Sequence, residues 1–109
     1  MENKIISTIK TWLPQILDAN VIESEYSVLG QVANYCLKNF EDGEDQMAKE
    51  AMNIIGLLYY NGSLHVKNAI ENEFLEKMAI CESPASLRKH ISCFPKDLRP
   101  IYLKTILEN

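Results

Sequence analysis

Apolar side chains in the middle of the chain recur with the spacing of an α-helix, and this pattern constrains the fold more than any other feature. The first series covers residues 26–40 and falls on Tyr26, Leu29, Ala33, Cys36, Leu37 and Phe40. The second covers residues 44–60 and falls on Met47, Ala51, Ile54, Ile55, Leu58 and Tyr59. An Asx-Gly pair follows each series, and glycine ends helices because it readily adopts positive φ. We therefore predict two antiparallel helices joined by a short turn.

The segments on either side also carry helix signals. Proline at position 14 interrupts the first helical pattern, and Ser63, Ser83 and Asp97 are candidate N-caps for three later helices. The predicted segments are residues 5–17, 26–40, 44–60, 64–80, 84–92 and 98–106. The chain is therefore predicted to be all-α, a compact bundle of about five to six helices joined by short turns. We expect it to form a single helical domain over residues 1–109.

Charge and cysteine content limit the possible partners and compartment. The chain has 11 Lys and Arg against 15 Asp and Glu, a net charge of −4, which argues against a general nucleic-acid binder. The apolar stretch of residues 54–60 is interrupted by Gly56 and is too short to cross a bilayer. We therefore predict that the protein binds neither nucleic acid nor membrane. The chain has three cysteines without CxxC spacing, and its first segment lacks secretory features, so we also predict a cytoplasmic protein.

The residues that could take part in catalysis or bind a metal do not form a recognised reaction centre. Cys36 lies on a predicted apolar face and is expected to be an inert buried thiol. Cys81, His90 and Cys93 match no zinc spacing and lack a fourth ligand, so no metal site is predicted. Phosphate-binding loops and hydrolase motifs are absent from the sequence. We therefore predict a protein that is not an enzyme and needs no cofactor.

The densest cluster of charged residues in the sequence is the predicted partner-binding surface. The acidic residues in and just after the turn between the two central helices are Glu41, Asp42, Glu44, Asp45 and Glu50. They favour a basic partner, although the same run is also typical of the solvated end of a helical hairpin. Tyr60 is predicted to be an exposed aromatic anchor, because its neighbour Tyr59 points about 100° away on a helix. A basic cluster near the chain end offers DNA binding as a further alternative, through Arg88, Lys89, His90, Lys96 and Arg99.

Two segments carry a resemblance to a known group of proteins. Residues 66–76, with Val-Lys-Asn-Ala-Ile followed by Phe-Leu-Glu, and residues 94–102, Phe-Pro-Lys-Asp-Leu-Arg-Pro-Ile-Tyr, resemble a family of small, acidic, all-helical bacterial proteins of unassigned function. That family is similar to the immunity proteins of polymorphic toxin systems. The resemblance extends from about residue 26 to residue 103. Asn68 and Glu76 match its polar positions, and we expect them to form a structural pair across the bundle in preference to contacting a partner.

The resemblance implies a cytosolic antidote. Such a protein binds its cognate toxin stoichiometrically and blocks the toxin's active site or substrate path without catalysis. An alternative with the same fold is a helical adaptor or regulatory module whose groove accepts a peptide or protein partner. The position of the gene beside a toxin gene would separate the two.

Overall fold

The computed structural model describes residues 4–17 and 24–108, and in these ranges the chain forms only helices and turns. Its helices are α1 (Lys4–Trp12), a 3-10 turn (Pro14–Ile16), α2 (Glu25–Glu41), α3 (Asp45–Asn61), α4 (residues 64–80), α5 (Pro84–Cys93) and α6 (Arg99–Glu108). This architecture confirms the predicted all-α bundle of about six helices. None of the described helices is long and apolar enough to cross a membrane.

Two of the predicted N-caps form as expected. The Ser63 hydroxyl accepts a hydrogen bond from the Val66 backbone N–H at the start of α4. The Ser83 hydroxyl accepts one from the Ser86 backbone N–H at the start of α5. Pro84 is the first residue of α5, where its missing N–H leaves no intrahelical bond unmade.

The expected cap at Asp97 is wrong. The last helix starts two residues later, at Arg99. The chain is turned into it by backbone bonds, because the N–H groups of Leu98 and Arg99 both donate to the Pro95 carbonyl, at 3.0 and 3.3 Å. Only Phe94 separates Pro95 from the end of α5, so this compact turn connects α5 to α6.

The two Asx-Gly turns differ in the reason for their glycine. Gly43, between α2 and α3, has a φ of 79°, as the pattern predicts. Gly62, between α3 and α4, has a φ of −85° and a ψ of 158°, which any residue adopts. A Cβ at Gly62 would lie 2.6 Å from the Leu58 carbonyl oxygen and 2.7 Å from a methyl carbon of Val66. Gly62 is therefore required because a side chain would clash with its neighbours, and not because its backbone is left-handed.

The core lies around α2, which packs against α1, α3 and α4. Its buried residues are Val28, Leu29, Val32, Ala33, Cys36, Asn39 and Phe40. Tyr26 and Leu37, both predicted for the buried face, are exposed and half-buried respectively. Because neighbours cover α2 on several sides, the buried stripe is wider than a single periodic face and is centred differently.

A π-helical segment interrupts α4. Residues Leu64–Ala69 and Glu76–Ile80 are α-helical, and Ile70–Leu75 forms wider π turns between them. This segment packs against α2 and α6 and buries both Phe74 and its neighbour Leu75. The π-helix is rare in proteins and occurs mostly as short interruptions within α-helices. The sequence pattern did not predict this one.

Candidate functional site

The structure brings four of the predicted partner-binding residues together at the turn between α2 and α3. We call Glu41, Asp42, Glu44 and Asp45 the acidic hairpin. Asp42 forms an exposed ion pair with Lys38 at 3.8 Å, and Asp45 pairs with Lys89 of α5 at 3.1 Å. Glu41 and Glu44 are exposed and form no ion pair within the described ranges. Half of the acidic charge is therefore available to a partner.

Glu50 and Tyr60 lie further along α3. Glu50 is exposed in the second turn of the helix. Tyr60 lies fifteen residues after Asp45, so it is roughly 22 Å away along the helix axis. The predicted residues thus belong to two separate surfaces and not to one site.

Tyr60 belongs to a surface rich in exposed apolar side chains. Trp12 is 67% exposed, Leu57 is 61% exposed and Tyr60 is 68% exposed; we call these three residues the aromatic face. A groove of about 530 Å³ lies between α1 and α3 and is lined by Trp12 and Leu57 among others. A second groove, of about 290 Å³, is lined by Leu57, Tyr60 and Pro95 among others. Leu57 lines both, so the two grooves adjoin at this residue.

The sequence predicts an exposed Tyr60, as observed, but it does not predict that Trp12 and Leu57 belong to the same surface. One signal was present in the sequence. Leu57 precedes Tyr60 by three residues and therefore shares its helix face, whereas the buried residues Ile55 and Leu58 lie on another. Trp12 gave no such signal, because its exposure depends on how α1 packs against α3.

A third groove, of about 460 Å³, lies beside the acidic hairpin. We call it the hairpin groove, and its lining residues are Leu37, Phe40, Glu41, Cys81, Ser83, Ser86, Lys89 and His90. One wall is apolar and comes from α2, and the other is polar and comes from α5 and the residues before it. Glu41 is the member of the acidic hairpin that faces this groove.

A buried hydrogen-bond network supports the polar wall. Glu82 Oε1 accepts hydrogen bonds from His90 Nδ1 at 2.9 Å and from the Tyr102 hydroxyl at 2.6 Å, while Oε2 accepts one from the Ser86 hydroxyl. Burial acts to raise the pKa of Glu82, but the hydrogen bonds from Ser86, Tyr102 and His90 together hold that pKa below its ordinary value. Glu82 is therefore a buried carboxylate anion, and the hydrogen on His90 Nδ1 is directed to it.

Aromatic rings hold this network in place. The His90 ring stacks on Phe40, with centroids 4.1 Å apart, and the Tyr102 ring stacks on Phe94 at 4.4 Å. Burial, followed by the hydrogen bond to Glu82, raises the pKa of the Tyr102 hydroxyl well above its ordinary range. The hydroxyl therefore remains a hydrogen-bond donor throughout the physiological pH range.

The cysteines are free thiols in three different environments. Cys36 is buried, its Sγ lies 3.8 Å from the Ala48 carbonyl oxygen, and burial raises its pKa from 9.0 to about 12. This confirms the prediction of a buried thiol. Cys81 is exposed and Cys93 is half-buried. In the described part of the chain, no group of three or more His, Cys, Asp or Glu side chains is arranged to hold a metal ion.

The basic cluster near the chain end is largely engaged within the protein. Lys89 pairs with Asp45, and His90 is held by Glu82. Arg99 donates to the backbone carbonyls of Phe94 at 2.9 Å and Ser92 at 3.2 Å, at the end of α5. These contacts fix the last two helices and leave less basic charge for DNA.

The expected structural pair of Asn68 and Glu76 is wrong. Both side chains are exposed and lie on α4, before and after its π segment. Neither forms a hydrogen bond or ion pair within residues 4–17 and 24–108. The bundle instead links α3 to α4 through Tyr59, whose hydroxyl donates to Glu71 at 2.8 Å.

Comparison with known proteins gives a family and no described activity. No curated protein and no solved structure matches the chain. One family model, a domain of unknown function named DUF7674, matches residues 6–108, from within the first turn of α1 to the end of α6. On this match, the chain belongs to the DUF7674 family.

Proposed function

We propose that this protein acts by binding another protein, and that the partner is a toxin that it neutralises stoichiometrically. The observation that carries the binding role is the aromatic face. Trp12, Leu57 and Tyr60 are each more than half exposed and border two adjoining grooves. Tryptophan and tyrosine are the residues on which binding energy in protein interfaces is most often concentrated.

The charge of the chain supports a partner with a basic surface. The net charge is −4, and Glu41 and Glu44 of the acidic hairpin form no ion pairs in the described ranges. Unpaired surface carboxylates accelerate association with a cationic protein and add less to the lifetime of the complex. We therefore assign the main contact to the aromatic face and steering of the approaching partner to the acidic hairpin.

The neutralising form of the function rests on the resemblance to immunity proteins. An inhibitor of this kind needs a firmly packed surface and no catalytic group. Helices held by a continuous core and by the buried Glu82 network meet that requirement. The cytoplasm, where a toxin reaches its target, is the compartment proposed for the complex.

A helical adaptor is the second candidate, and the groove between α1 and α3 favours it. That groove is about 530 Å³, is lined by Trp12, Ile54 and Leu57 among others, and has Lys4 at its edge. Grooves between two helices accept the apolar side of an amphipathic partner helix. An adaptor would bind such a segment as an isolated peptide, whereas a toxin inhibitor requires the folded toxin.

Co-expression with the protein encoded beside its gene tests the proposal. The neighbour alone is expected to stop growth, and this chain is expected to restore it. Leu57→Ala should reduce rescue, while Leu107→Ala, a matched change of an exposed leucine on α6, should not. A neighbour without toxicity, or equal rescue by Leu57→Ala and wild type, would contradict the proposal.

A further inference from the structure

The hairpin groove contains a nearly buried polar side chain with an unused hydrogen-bonding atom. His90 lines the groove, and its side chain is 10% exposed. Its Nδ1 is bonded to Glu82 at 2.9 Å, and its Nε2 has no hydrogen-bond partner among the residues that the structure describes. When the ring is neutral and its Nδ1 hydrogen is directed to the Glu82 carboxylate, Nε2 presents a lone pair. The groove therefore offers an acceptor to a ligand.

The other groups that line the groove make it selective for a cation. Glu41 is exposed and has no ion-pair partner in the described ranges. Lys89 carries the opposing charge, but it is neutralised by Asp45 at 3.1 Å. The anionic Glu82 is bonded to His90 Nδ1 and adds negative charge next to the groove. A ligand with several N–H donors and a positive charge satisfies this arrangement.

The remaining wall suits an aliphatic chain. Leu37 is half-buried and Phe40 is nearly buried, and both line the groove. Basic side chains carry three or four methylene groups that pack on apolar surface while the charged head remains hydrogen-bonded. A guanidinium has five N–H donors in a plane, enough to bond a carboxylate and a ring nitrogen together, whereas an ammonium is a compact point charge.

We infer that the hairpin groove binds an arginine side chain of the partner protein, with the guanidinium donating to Glu41 and to His90 Nε2. The inference rests on the proposed function only for the source of the arginine. Binding in the groove itself is a property of this chain and is testable without the partner.

A small arginine probe and the two histidines of the chain provide the test. Nα-acetyl-arginine N-methylamide is titrated into the protein while the ring Cε1–H signals of both histidines are followed by NMR. His65, which is paired with Glu25 at 2.5 Å outside the groove, is the internal control. The His90 signal is expected to shift to saturation and the His65 signal to remain in place. The citrulline analogue, an uncharged isostere, should produce no saturable shift.

Two matched variants identify the carboxylate involved. Glu41→Gln should weaken binding of the arginine probe by about threefold or more, as expected for loss of one exposed charge contact. Glu44→Gln removes a neighbouring exposed charge that does not line the groove, and should leave the affinity unchanged. Both positions are exposed at the turn, so both variants are expected to fold normally.

Any of three results would overturn the inference: no saturable shift of His90 in the folded protein, equal shifts with citrulline, or equal affinity of wild type and Glu41→Gln. Binding of the matching lysine derivative as tightly as arginine would overturn the assignment to a guanidinium. These results are independent of complex formation through the aromatic face. Failure of the arginine site and failure of the proposed function are therefore distinguishable.

Discussion

Replacing Tyr102 by phenylalanine is expected to destabilise the protein strongly without changing its packing. The substitution deletes one oxygen, and the ring stacked on Phe94 is retained. The lost hydroxyl donates to the buried Glu82 carboxylate at 2.6 Å. A hydrogen bond to a charged group contributes about 1.5–3 kcal/mol to stability, so we expect Tyr102→Phe to lower the free energy of unfolding by that amount at pH 7.

The effect is also expected to depend on pH in one direction. The folded-state pKa of Glu82 is lower than its ordinary value of 4.5, so its contribution to stability is complete above 4.5 and is lost as the pH falls through the folded-state pKa. Because the variant removes a donor to the anionic form, its difference from wild type should shrink over the same range.

Urea unfolding followed by circular dichroism measures both effects. Tyr60→Phe is the control, because Tyr60 is 68% exposed and its change should stay within about 0.5 kcal/mol. An m-value equal to that of the wild type would show that each variant exposes the same surface area on unfolding. A Tyr102→Phe protein as stable as Tyr60→Phe at pH 7 would refute the buried-carboxylate account.

Three further predictions concern the core. Gly56→Ala should destabilise by about 1–3 kcal/mol in urea, because a Cβ there would lie 2.6 Å from the Pro95 ring; an unchanged midpoint would mean that α3 and this turn are less closely packed. Leu29→Ala should reduce stability by about 2–5 kcal/mol and Leu37→Ala by clearly less, since Leu29 is fully buried and Leu37 is not; equal losses would contradict the observed position of the α2 core face. Burial raises the pKa of Cys36 from 9.0 to about 12, so its contribution to stability is complete below pH 9 and is lost as the pH rises to 12. Thermal melts of Cys36→Ala and wild type should therefore converge over that range, and parallel curves would exclude this titration.

The sequence predicted those parts of the fold that depend on local rules. Ser63 and Ser83 cap helices because a serine hydroxyl at that position reaches a free backbone N–H, whatever the rest of the chain does. Gly43 turns the chain between α2 and α3 for an equally local reason. Asp97 offered the same signal, but backbone bonds to Pro95 formed the turn without it.

The candidate sites depend on contacts between distant segments, and sequence spacing did not predict them. Glu82 lies between α4 and α5, His90 lies in α5 and Tyr102 lies in α6, so the three meet only when the bundle packs α6 against α4. In the sequence alone, His90 is a candidate only for a metal site or a DNA contact. The residues of the acidic hairpin are close together in the sequence, so the sequence predicted that they form one surface. Trp12 joins the aromatic face only through the packing of α1 on α3.

The most direct test of the protein-binding role is calorimetric titration of the purified chain with the protein encoded beside its gene. We expect one-to-one binding, with Tyr60→Ala raising the Kd about 30-fold or more, the effect of a central aromatic contact of 2 kcal/mol. Tyr26→Ala, which removes another exposed tyrosine outside the aromatic face, should change the Kd by less than about twofold. Equal affinities for Tyr60→Ala and Tyr26→Ala would contradict the assignment of the aromatic face as the binding surface.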